Sequence, residues 1–311
     1  MNYFLQRSGF FALAAWAGAG IFALNAQDAV EKSESKARPF TVIWAGGGKF
    51  PAVCIGKDNW LVCTIPPGLS EIEASSAPSV EVGGNKISTS VIHVCKEHGI
   101  CLLETESKLP DTKPFALAGQ EKIKPGVQLT SLSSGESCRS LVTGKDFEYL
   151  GKNLPCPLLR IRMENDSDHF CRPGTPLINE DGEIHGLVLP RRLKNDRTAH
   201  AIPAPVLQKI IWEMEHCQKS GPVWLGFALL TSSTTPEIMQ IKDNSPSSRA
   251  GLKVGDVILS INGNPIQGMP DIVELIHSLP AETPAKIRIL RELKEMNVDV
   301  TPAFAGKSAA E

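Results

Sequence analysis

Between residues 39 and 203 apolar side chains recur at every second position in short runs. FTVIWA, FPAVCIG, WLVCTI, SVEVGG, KISTSVIHVC, ICLLETE, VQLTSLS, LLRIRME and EIHGLVLP follow one another, with Gly, Pro, Asn and Asp between them. Period-two spacing puts one face of each run on a core and the other toward solvent, which predicts antiparallel strands joined by turns. No run of helical period and convincing length precedes Pro205, so the pattern describes an all-β barrel or sandwich. The period then changes. In PAPVLQKIIWEMEHCQ, Val206, Leu207, Ile210, Ile211 and Met214 fall at helical spacing behind Pro205, and Ser220-Gly221-Pro222 stops the helix. Residues 222–304 form a third texture: an apolar loop WLGFALL, strands EIMQIKD, DVILSING, AKIRILRE and NVDVTP, a turn-helix SPSSRAGL and a helix DIVELIHSL. This predicts a compact β-rich module with two helices.

The ends of the chain read differently. Residues 1–26 hold one Arg7, an apolar run from Phe10 to Leu24 and small residues near Ala26, the layout of a cleaved export signal. The run is shorter than the roughly 20 apolar residues a membrane span needs, so no insertion after cleavage is expected. Residues 27–38 are charged and aperiodic, a flexible leader, and 305–311 form a loose tail. A chain of 311 residues accommodates two domains with real cores. With 32 basic against 34 acidic residues, the net charge of -2 gives no electrostatic reason to expect a nucleic-acid partner.

Eight cysteines suit an exported protein, because disulfides persist in oxidising compartments. Eight cysteines allow 105 connectivities. Local geometry suggests two pairs. A two-residue turn at Asp58-Asn59 would set Cys54 opposite Cys63, and a loop at Glu97-His98-Gly99 would set Cys95 opposite Cys101. Buried free thiols are the alternative. No CxxC or CxxH spacing is read as a ligand pair, and neither a metal site nor a cofactor is expected.

The order of these pieces resembles the HtrA (DegP-like) family, in which an exported trypsin-like protease domain precedes a PDZ domain. WLGF at 224–227 looks like the family's carboxylate-binding loop, SPSSRAGLKVGDVILSINGNPI at 245–266 like the PDZ core signature, and DIVELIHSL at 271–279 like the groove helix. FPAVCIGKDNWLVCTI, SVEVGGNKISTSVIHVCKEHGICLLETE and HAIPAPVLQKII resemble the first barrel hairpin, the middle strands and the closing strand and helix. The resemblance covers roughly residues 40–304. It implies a mainly β fold, a trypsin-like double β-barrel over 39–219 followed by an α+β PDZ domain, a small partly open barrel, over 220–304, and a homotrimer as the family's common assembly.

The same resemblance implies where catalytic groups belong. The family's His stands in a Thr-Asn-x-His motif after the first hairpin; here CTIPPGL puts Pro66, or at best Pro67, there. Its Asp opens a strand of the type Asp-Ile-Ala-Leu-Leu; here GICLLE puts Gly99 there. Its Gly-Asn-Ser-Gly-Gly-Pro-Leu becomes CRPGTPL, with Pro173 at the nucleophile. Proline has neither a side-chain oxygen nor an N–H, so this slot loses both the attacking atom and an oxyanion donor. The reading that follows is a homologue without peptidase action that holds C-terminal or extended peptides on its PDZ domain. Trp224, Leu225, Gly226 and Phe227 would receive the terminal carboxylate, and Val273 and His277 would line the groove. Two alternatives stand beside it. One is a peptidase using Cys171, with His169 and His185 near it in sequence and His93 or His98 as base; the other is a structural assembly module.

Overall fold

A computed structural model describes residues 39–306 apart from 45–47, 66–77, 96–97, 111, 134–135, 149–155, 165–171, 193–196 and 231–234. The expected signal and leader, Pro66, Pro67, His169, Cys171 and most of the tail lie outside the described residues.

The alternating runs form two closed six-stranded antiparallel barrels. The first comprises β1 (Phe40–Ile43), β2 (Lys49–Cys54), β3 (Trp60–Thr64), β4 (Ser79–Val82), β5 (Asn85–Cys95) and β6 (Ile100–Thr105) in the order β1-β2-β3-β6-β5-β4. The second comprises β7 (Gln128–Ser133), β8 (Glu136–Glu148), β9 (Cys156–Met163), β10 (Pro176–Ile178), β11 (Ile184–Arg192) and β12 (Thr198–Pro203) in the order β10-β11-β12-β9-β8-β7. Closure removes sheet edges, and alternation gives each strand two faces to bury. On β2, Ala52 and Cys54 point into the barrel with Val42, Leu61, Cys63 and Leu103. Val53 points outward with Trp60, Val62 and Leu102 into a core shared with Leu158, Leu187 and Ile202 of the second barrel. Because β3 serves both cores, all five of its residues are buried. Helix α1 (Ala204–Cys217) caps this shared core with Val206, Leu207, Ile210 and Ile211.

The C-terminal module contains β13 (Val223–Trp224), β14 (Phe227–Leu229), β15 (Ile238–Ile241), the short α2 (Pro246–Arg249), β16 (Val257–Ile261), β17 (Asn264–Pro265), α3 (Met269–Ser278), β18 (Ala285–Arg291), β19 (Lys294–Val300) and β20 (Ala303–Phe304). Ile272, Leu275, Ile276 and Leu279 bury the inner face of the α3 segment among Ile258, Ile261, Ile287 and Ile289. The module sits directly on the barrels. Glu274 of α3 pairs with Lys145 of β8 at 2.6 Å. Glu213 of α1, with no exposed surface, accepts from Lys209 Nζ (3.0 Å), Ser220 Oγ (2.6 Å) and the Ala281 N–H (2.8 Å).

Neither expected cysteine pair forms, for two different reasons of register. The Lys57–Trp60 turn closes as anticipated, with the Trp60 N–H on the Lys57 carbonyl at 3.1 Å. Gly56, at φ 79°, then bulges the incoming strand, so the Ile55 N–H reaches Trp60 and Cys54 opposes Leu61 instead of Cys63. In the next hairpin Cys95 opposes Ile100 and Val94 opposes Cys101. That slip of one residue sends Cys95 into the core between the barrels and Cys101 into the interior of the first. The residue opposite Cys101 on β3 is Cys63. A hydrogen bond donated by the Cys63 thiol to Cys101, together with complete burial, holds that thiol well above its usual range. None of the seven described cysteines is in a disulfide.

Candidate functional site

Two regions carry the expected site residues. The first is the place where β3, the β5–β6 turn and the segment before β10 converge. Gly99 occupies the turn at φ 63°, and its carbonyl accepts the Ile65 N–H at 2.8 Å, extending the β3–β6 ladder by one step. Pro173 and Gly174 form the turn into β10. Gly174 is required here: it stands at φ 86°, and a Cβ would fall 2.5 Å from the Pro51 carbonyl oxygen. Pro173 has no N–H, and the Gly174 N–H is spent on the Val188 carbonyl at 2.7 Å. The hydroxyls of Thr64 and Thr175, both fully buried, have no hydrogen-bond partner among the described residues. The Thr64 oxygen lies 3.3 Å from where a Gly174 Cβ would stand. A neutral hydroxyl without a base to take its proton is a weak nucleophile. Of the histidines near this region in sequence, His185 is buried, and desolvation lowers its pKa below the ordinary histidine value.

The second region is the loop from Trp224 to Phe227. Gly226 holds φ 83°, and a Cβ there would lie 2.1 Å from Ser245 Cβ and 3.1 Å from the Trp224 ring. The carbonyls of Leu225 and Gly226 turn inward to the N–H groups of Ser247 (3.0 Å) and Lys242 (2.8 Å). In a trans peptide the N–H points opposite to the carbonyl. The N–H groups of Gly226 and Phe227 therefore point away from Ser247 and Lys242. Leu225 is buried, Phe227 and Val273 pack half-buried on the same cluster, and β14 is paired with β15 on one side in a two-stranded sheet. The structure thus brings Leu225, Gly226, Phe227 and Val273 together.

His277 goes elsewhere. Its ring stands edge-on to His98, with centroids 6.3 Å apart, on the side of α3 that meets the barrels. His98 Nδ1 lies 2.9 Å from Cys95 Sγ. Burial, reinforced by His277 and Lys209, pushes the His98 imidazole down to about 3. Sequence reasoning missed this cluster. One signal was there: Cys95-Lys96-Glu97-His98 has the C-x-x-H spacing of a ligand pair. The other members, Cys156 and His277, are joined to it by tertiary structure alone.

Known proteins place this geometry in context. Residues 237–291 match a PDZ domain family. A probable periplasmic serine endoprotease, DegP-like, from Pseudomonas putida (strain W619) is 29% identical over 219 residues, covering 65% of this chain and 45% of the relative. A second of the same description from Marinomonas sp. (strain MWYL1) is 26% identical over 219 residues, again 65% of this chain and 46% of the relative. The chain spans about half the length of the curated relatives it matches. Among solved structures, the HtrA-type protease AlgW with a tripeptide superposes with a TM-score of 0.58 at 14% identity, over 90% of this chain and 97% of that one. Two six-stranded barrels and a PDZ domain define the class: a trypsin-like double barrel joined to a PDZ domain. Within that class the sequence is similar to the DegP-like serine endoproteases, and the fold is similar to that of an HtrA-type protease. The relatives are named periplasmic, which supports an exported, periplasmic location.

Proposed function

We propose that this protein is an HtrA homologue without peptidase activity that binds C-terminal or extended peptide segments on its PDZ domain, as an adaptor, scaffold or quality-control sensor. The observation that carries the reading is the turn before β10. Pro173 supplies neither a nucleophile nor an N–H, and the N–H of Gly174 is bonded within the barrel. Loss of one oxyanion donor alone costs roughly 2.7–4 kcal/mol of transition-state stabilisation. Gly99, without a side chain, has no means of orienting an imidazole. Two features support peptide binding: the outward N–H groups of Gly226 and Phe227, suited to a carboxylate, and a β14 edge suited to an added strand. Peptide-bound HtrA-type structures are among those the fold resembles.

Two measurements test it. Casein digestion should stay at background, and a fluorophosphonate or an iodoacetamide-type probe should label no residue selectively; turnover abolished by Cys171→Ala would establish the peptidase reading instead. A library of peptides with free C-termini should yield micromolar ligands. Their affinity should fall at least tenfold in Gly226→Val, where the new side chain meets Ser245 and φ is unfavourable. A library without a single hit would favour an assembly role.

A further inference from the structure

Three ligand-type side chains meet where both barrels and the PDZ domain touch. His98 comes from the β5–β6 turn of the first barrel, Cys156 opens β9 of the second, and His277 lies in the last turn of α3. One ligand atom from each lies within 4.8 Å of the other two. His98 and Cys156 are 5% and 2% exposed, and His277 is half-buried. His98 offers a second, separate observation. Its Nδ1 is engaged by Cys95 Sγ, while its Nε2 is buried with no hydrogen-bond partner among the described residues. A buried ring nitrogen left so bears the desolvation cost of an unmade hydrogen bond, and a metal bond is one way to satisfy it.

We propose that His98 Nε2, Cys156 Sγ and His277 bind one zinc-class transition-metal ion, clamping the PDZ domain to the two barrels. Imidazole and thiolate together suit borderline and soft ions and disfavour magnesium or calcium. Bond lengths of about 2.05 Å to nitrogen and 2.3 Å to sulfur put tetrahedral ligand atoms roughly 3.4–3.6 Å apart. The cluster reaches this by closing about an ångström, which the half-buried His277 at a helix end can supply. Cys95 does not ligate in this arrangement. It holds the far nitrogen of His98, the position from which an outer partner fixes ring orientation. Binding takes the proton from Cys156, so affinity rises with pH. The fourth position is open to water or another small donor. The inference is independent of whether the protein cuts peptides.

The test is a titration of the purified protein with cobalt(II), followed by displacement with zinc(II). The expected result is one cobalt per chain, with a sulfur-to-cobalt charge-transfer band and the intense visible bands of a tetrahedral site, both erased by zinc. Cys156→Ser should lose the charge-transfer band. His98→Gln and His277→Gln should each weaken binding at least tenfold, and Cys95→Ala should weaken it less. Should Cys156→Ser fail to fold, His277→Gln carries the test: zinc should raise the unfolding temperature of the parent protein and leave that of the variant unmoved. No stoichiometric cobalt binding, or a thiolate band and zinc stabilisation that persist in His277→Gln, would overturn the proposal.

Discussion

Asp256 carries a fully shielded carboxylate in the PDZ domain, gripped by two nitrogens of Arg291 at 2.7 Å each and by the Lys253 N–H at 2.8 Å. Burial alone would raise its pKa, but Arg291 and the amide outweigh that and hold the carboxyl below the ordinary aspartate value. A depressed folded-state pKa contributes stability in full above the unfolded value of about 3.9, lost as pH falls through the folded one. Arg291→Met should therefore cost about 3–5 kcal/mol at pH 7, and the deficit should narrow on acidification below about pH 4; urea denaturation at both pH values checks it. The residue scale is also where the sequence was most legible. Gly226 could be singled out because a turn between two apolar residues asks for a backbone that other residues reach with strain. Thr64 and Thr175 could not, since nothing local marks a hydroxyl as buried.

At the scale of elements, α1 and α3 were legible from their periodicity, with Ile272, Leu275, Ile276 and Leu279 buried as their spacing required. Strand pairing was legible in existence and not in register. One bulging glycine moved Cys54 by two positions, and one residue fewer in a turn moved Cys95 to the opposite face; both are local events that alternation does not encode. Polar residues in a helix were harder still. Lys209 and Glu213 stand four apart on α1, a spacing that ordinarily marks a solvated pair, yet both are buried at 3.0 Å. Glu213→Ala would strand the Lys209 charge and remove the acceptor of the Ala281 N–H. It should cost about 3–5 kcal/mol in urea unfolding and speed cleavage of the 218–222 linker in limited proteolysis.

At the scale of the whole molecule, the order of barrels and PDZ domain could be read along the chain, while their contact could not. The Lys145–Glu274 pair joins residues 129 positions apart, and the Glu213–Ala281 bond spans 68. The pattern of either partner gives no sign of the other. The same distance hid the meeting of His98, Cys156 and His277. Helix α3 has consequently two obligations, packing the PDZ core with Ile272 and Ile276 and holding the barrels through Glu274. A swing of the PDZ domain would have to separate buried carboxylates from their partners before any new contact repaid the loss. The cost of opening therefore falls on its first small step, and the joint resists slight swings that a flexible tether would permit.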